Sequence, residues 1–115
     1  MSISEKTISL AAEKLYVNSL IELPEDVALR LAEMRDGETS ELAKYQLGKI
    51  LENAEIAKKV RNVICQDTGI SSYHVKIGSK AEIDGDLVAA LSVGTAMGTK
   101  NLPTIPHSVH PLTKV

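Results

Sequence analysis

The sequence contains no phenylalanine and no tryptophan, and three tyrosines make up its aromatic content. Its core must therefore be built from aliphatic side chains, without the large buried areas that rings supply. A single cysteine, Cys65, excludes an internal disulfide and with it the small secreted scaffolds that depend on several. No apolar run approaches the roughly 18 residues of a membrane span. The opening Met1-Ser2-Ile3-Ser4-Glu5-Lys6 lacks the basic-then-apolar order of a secretory signal, so a cytoplasmic location is expected, with no membrane partner. Neither charge dominates: 13 Lys and Arg against 15 Asp and Glu leave a net charge of −2. A nucleic-acid partner, which would call for a strongly basic face, is therefore not expected. There is no internal repeat and no low-complexity segment.

What the chain does have is apolar periodicity. At 115 residues, with 43% hydrophobic and 24% charged residues, it has room for one modest core, small for an enzyme that buries a cofactor. Ser2 with Glu5 three residues on has the form of a capping box, and Ile8, Ala11, Ala12 and Leu15 recur on one helical face, which predicts a first helix to about Ser19. Pro24 suits the opening turn of a second helix with Val27, Ala28, Leu31 and Met34 on its apolar face, ending at Gly37. Thr39 or Ser40 can cap a third. Its apolar side is Leu42, Ala43, Leu47, Ile50, Leu51, Ala54 and Ala57, and its solvated side is Lys44, Lys49, Glu52, Glu55 and Lys59. Lys58, Lys59 and Arg61 complement that helix's C-terminal dipole.

Beyond Gly69 the period falls to two: Tyr73, Val75 and Ile77 alternate with Ser72, His74 and Lys76, predicting a half-buried strand, with His74 at the surface. A second extended piece, Ala81-Glu82-Ile83, turns at Asp84-Gly85, so a hairpin is possible. Asp86 can cap a fourth helix from Leu87 to about Lys100, burying Leu87, Ala90, Leu91 and Met97 and weakened by Gly94 and Gly98. The tail, with Pro103, Pro106 and Pro111, is expected to be extended. His107 and His110 have the spacing of a helical metal pair, but the neighbouring prolines argue against a helix and against zinc. The expected architecture is α-rich α+β: helices in 1–62, a motif turn and strands in 63–85, and a helix and extended tail in 86–115, together part of a larger domain.

Chemistry concentrates at the junction of the third helix and the strand, in Ile64-Cys65-Gln66-Asp67-Thr68-Gly69. Taken alone, Cys65 can be a buried hydrophobe, a nucleophile or a metal ligand. A thiolate is a soft donor suited to an iron–sulfur cluster, whose sulfurs nearby backbone N–H groups can tune. Gln66 can donate two amide hydrogen bonds, and Asp67 can orient a substrate or carry a proton. Both can also be turn residues, the role expected of Thr68 and Gly69.

This run, with Val75-Lys76-Ile77-Gly78, Glu82-Ile83-Asp84-Gly85-Asp86 and Ser108-Val109-His110-Pro111-Leu112-Thr113, resembles the alpha subunit of the iron–sulfur hydro-lyases, the class I fumarate hydratases and L(+)-tartrate dehydratases. Leu23-Pro24-Glu25-Asp26-Val27 and Leu51-Glu52-Asn53-Ala54 agree more loosely. The resemblance implies reversible dehydration of a hydroxy-dicarboxylic acid, malate or tartrate. It implies a 4Fe–4S cluster with Cys65 as one of three cysteine ligands, and Gln66 and Asp67 in the substrate shell, with Asp67 catalytic. It further implies a beta subunit or C-terminal domain as partner, and an oligomer.

Three departures stand against that pattern. The family's other two cysteines are expected beyond Val115, which makes the chain the N-terminal portion of a subunit, inactive alone and prone to self-association through an uncovered apolar surface. Ile105 stands where the resemblance places an arginine for the substrate carboxylate, and Val63 where proline is common. A non-catalytic remnant or interaction module is the alternative, favoured by Ile105 and by the glycines of the fourth helix. A cysteine-nucleophile hydrolase would need a histidine such as His110 brought to Cys65.

Overall fold

The computed structural model describes residues 2–65 and 69–104. The order of elements is β1 (Ser2–Ser4), α1 (Glu5–Ile21), α2 (Glu25–Gly37), α3 (Glu41–Val60), β2 (Glu82–Asp84) and α4 (Leu87–Asn101). The fold is α-rich α+β. The chain divides into two compact units, Met1–Val17 with Asp67–Val115, and Asn18–Gln66.

In the first unit, β1 and β2 form a two-stranded parallel sheet in the register Ser2 to Glu82, Ile3 to Ile83 and Ser4 to Asp84. The capping box expected at Ser2 and Glu5 does not form, because Ser2 lies in β1. Ser4 takes the capping role instead, its Oγ accepting from the Thr7 N–H at 3.3 Å. Glu5 turns away to accept the Asp86 N–H on its Oε1 at 2.5 Å. Asp86 caps α4 as expected, its Oδ1 accepting from the N–H groups of Val88 at 2.8 Å and Ala89 at 3.0 Å. Between β2 and that cap, Gly85 has φ +113, a conformation closed to other residues without strain.

α4 packs on α1 through its smallest residues. Ala90, Gly94 and Gly98, spaced by four, are its buried positions, opposite buried Ser9 and Ala12 of α1. A Cβ on Gly94 would lie 2.3 Å from the Ser9 carbonyl oxygen and 2.6 Å from Ala12 Cβ, and one on Gly98 would lie 2.7 Å from Tyr16 Cδ1. The glycines that weaken α4 as an isolated helix are thus what lets it approach α1. The Ser9 hydroxyl donates to the Ala90 carbonyl at 2.9 Å in the same contact. The buried face of α1 therefore includes Ser9, whereas Leu15, expected in the core, is exposed. Leu87, Leu91 and Met97 are only half-buried.

The strand expected over Tyr73 to Ile77 is absent: residues 69–78 are irregular, and no hairpin forms among the described residues. The segment is held by a side chain rather than a ladder. The Tyr73 hydroxyl meets Thr95 Oγ1 at 2.7 Å and donates to the Ala12 carbonyl at 3.5 Å, while Val75 and Ile77 stay exposed. Alternation alone could not supply the neighbouring strand that a ladder needs. Among the described residues β2 pairs with β1 and not with this segment.

In the second unit, α2 packs against α3. Pro24 precedes α2 as its N-cap, and Ser40 caps α3, its Oγ accepting from Ala43 N–H at 3.4 Å. The solvated side of α3 is as expected, with Lys49 and Glu52 paired at 2.6 Å. Its apolar side is partly open: Ala54 and Ala57 are buried, but Leu42 is 70% exposed. Ile21, at 1% exposure, is the largest fully buried side chain among the described residues.

Candidate functional site

The candidate site is built on the end of α3. Ala57, Lys58 and the two residues after Val60 form a Schellman turn: the Asn62 N–H donates to the Ala57 carbonyl at 2.9 Å and the Arg61 N–H to the Lys58 carbonyl at 3.4 Å. The position that glycine usually occupies in such a turn holds Arg61, at φ 53, ψ 50. A left-handed non-glycine residue costs on the order of 1–2 kcal/mol. Lys58 and Lys59 sit in the helix's last turn, where their charge complements the dipole, and Lys58 Nζ lies 3.6 Å from Glu22.

From this turn the chain is fixed residue by residue. Asn62 Oδ1 accepts the Val63 N–H at 2.8 Å. The Ile64 N–H donates to the Leu20 carbonyl of α1 at 2.8 Å, and the Ile64 side chain is buried. The Cys65 N–H donates to Asn53 Oδ1 on α3, also at 2.8 Å. The Cys65 thiol itself is free and exposed among the described residues.

Gln66 and Asp67, the expected substrate-shell residues, lie outside the described residues, as do Thr68, Ile105, His107 and His110. His74 is exposed. Among the described residues no three His, Cys, Asp or Glu side chains gather into a metal site. As the single cysteine of the chain, Cys65 could supply at most one thiolate to a multi-thiolate ligand set. The Cys65 N–H, which sequence reasoning left available to a cluster sulfur, is already engaged by Asn53. Asn53 was the residue that sequence reasoning missed as a site component. Its signal was positional: a polar side chain one residue before Ala54 and four before Ala57, at the edge of the buried stripe of α3.

Shifts in acidity lie elsewhere, at the α2–α3 connection and at Lys49 of α3, which is raised chiefly by its hydrogen bond with Glu52. The Asp36 carboxyl is lowered chiefly by its hydrogen bond with Arg35, whose guanidinium is raised in turn. Glu38 is lowered by accepting the N–H groups of Ser40 at 2.9 Å and Thr39 at 2.8 Å. In the first unit, Ile3, Ile8, Leu15, Val75, Ile77 and Leu87 help line an open apolar groove of about 350 Å3.

The model of a family described as fumarate hydratase (Fumerase) matches residues 9–115, the motif turn included. The chain belongs to that family. Among the family's relatives, a Methanocaldococcus jannaschii protein, provisionally named L(+)-tartrate dehydratase subunit alpha, is 36% identical over 110 residues, covering 93% of this chain and 38% of the relative. The L(+)-tartrate dehydratase subunit alpha of Escherichia coli K12 is 31% identical over 81 residues, covering 70% of this chain and 27% of the relative. A Shigella boydii protein of the same name matches to the same extent. The chain thus spans well under half the length of these relatives. No described helix is long and apolar enough to cross a membrane.

Proposed function

We propose that the chain is the N-terminal portion of an iron–sulfur hydro-lyase alpha subunit, acting on a hydroxy-dicarboxylic acid in the cytoplasm. The reaction is reversible dehydration, of malate to fumarate or of tartrate to oxaloacetate. The relatives' names make tartrate the first substrate to assay. The observation that carries this reading is the exposed Cys65 thiol, held on a backbone-anchored turn inside the stretch that matches the family. The remainder of the subunit, together with a beta subunit or C-terminal domain, would complete the site in an oligomeric assembly.

In this reading Cys65 is one of three thiolate ligands of a 4Fe–4S cluster. When bound, such a cluster supplies a Lewis-acid iron that makes hydroxide a viable leaving group near neutral pH. Gln66 donates its amide N–H groups to a substrate carboxylate, and Asp67 takes up or returns the proton beside that carboxylate. A soft exposed thiolate suits a cluster vertex, and the single cysteine of the chain means that the other ligands come from elsewhere.

The remnant reading rested in part on the glycines of α4. Gly94 and Gly98 now have a packing reason, the close approach of α1. Ile105 alone remains in its favour.

The test is anaerobic co-expression with the complementary part of a relative's alpha subunit and its beta subunit. Bound iron, with dehydration of tartrate or malate that Cys65→Ser abolishes, is the expected result; neither iron nor activity would sink the enzyme reading. The 115-residue chain on its own is expected to be inactive after iron and sulfide reconstitution.

A further inference from the structure

α3 turns its polar side chains to solvent, with Asn53 the half-buried exception. Asparagine is a poor residue for a helix interior, because its amide competes for backbone hydrogen bonds outside the helix. Here that capacity is used across the turn: Oδ1 accepts the N–H of Cys65, twelve residues on, at 2.8 Å. The preceding N–H, from Ile64, goes to the Leu20 carbonyl at 2.8 Å. Consecutive backbone donors are thus held by two different helices, while the Ile64 side chain is buried and the Cys65 side chain is exposed. Neither residue has a helix or strand ladder to fix it.

We infer that Asn53 is the positioning residue of Cys65: its amide oxygen fixes the backbone of the thiol-bearing residue and aims the sulfur outward. This rests on the reading of Cys65 as a cluster ligand, and it adds what the ligand reading lacks, a reason for the thiol to hold one place before any cluster is present. A ligand pre-set by its surroundings loses less conformational freedom on binding than one on a loose turn. The same bond keeps the Cys65 N–H from cluster sulfur, so hydrogen bonds to the sulfurs must come from other donors.

The test is amide hydrogen exchange by NMR on the whole chain, comparing wild type with Asn53→Ala, Asn53→Asp and Asn62→Ala. Asn62 bonds the neighbouring Val63 N–H and serves as the control for a side-chain bond on the same turn. The Cys65 amide is expected to be protected in wild type and to exchange at least about tenfold faster in Asn53→Ala. Asn53→Asp, which keeps an acceptor oxygen, should restore most of that protection. Asn62→Ala should leave the Cys65 amide unmoved, and the buried α3 amides of Ala54 and Ala57 should hold their protection throughout. Should Asn53→Ala fail to fold, Asn53→Gln displaces the acceptor by one methylene and carries the same comparison. A Cys65 amide unprotected in wild type, or equally protected without Asn53, overturns the positioning role. Separately, iron retained by Cys65→Ser in the co-expressed assembly would overturn the ligand reading on which it rests.

Discussion

Arg61 shows how a single side chain marks this turn. Its left-handed backbone closes the Schellman hydrogen bonds that send the chain back toward Asn53, yet a Cβ is a liability there. Arg61→Gly should therefore raise stability in urea denaturation by about 1 kcal/mol, less whatever the unfolded chain gains in freedom. No gain would mean that the arginine side chain compensates through contacts of its own. Gly85 is the converse case. At φ +113 its conformation admits essentially glycine, and a Cβ would also run into the Glu5 side chain that bonds Asp86. Gly85→Ala is expected to cost about 1–3 kcal/mol, read from the shift in the denaturation midpoint.

Elements carry two further predictions. In α4, Gly94→Ala sets a methyl group against the Ser9 carbonyl and Ala12, and rigid backbone cannot yield as a side-chain end can. A loss of about 1–3 kcal/mol is expected, with Gly37→Ala, which meets nothing within 4 Å, as a near-neutral control. Equal effects at both positions would mean that α1 and α4 do not pack through the glycines. At the head of α3, Glu38 accepts two backbone N–H groups ahead of the Ser40 cap, which lowers its pKa in the folded chain. The folded state then binds fewer protons than the unfolded one. The stabilisation is complete above the ordinary glutamate value of about 4.3 and fades as pH falls through the lowered one. Melting temperatures taken between neutral and acid pH should fall less steeply for Glu38→Gln than for wild type.

Across the whole molecule, apolar side chains are left uncovered more than a finished core would allow. Leu42 is 70%, Val88 71% and Ile70 83% exposed, while full burial of a large side chain is reached at Ile21. Such surfaces favour association with other chains. Sedimentation equilibrium should find concentration-dependent self-association of the isolated chain, which co-expression with the rest of an alpha subunit reduces; a monomer at high concentration would contradict this. Ile21→Ala, in contrast, removes core volume and is expected to cost about 2–5 kcal/mol in urea denaturation.

The four described helices, the caps at Ser40 and Asp86 and the end of the third helix near its basic cluster were legible in residue order, because capping and periodicity act within a few positions. Family membership was legible too, from Cys65-Gln66-Asp67-Thr68-Gly69 and its neighbours. Tertiary structure alone decided that Ser2–Ser4 would pair with Glu82–Asp84, and that Tyr73 would hold its segment by a hydroxyl instead of a ladder. It also turned Gly94 and Gly98 from helix weaknesses into the contact face of α4, and gave Asn53 its bond to Cys65. Each of these depends on partners from 12 to 85 residues apart in the chain. A local pattern records which groups need a partner; only the packed chain determines which group arrives within reach.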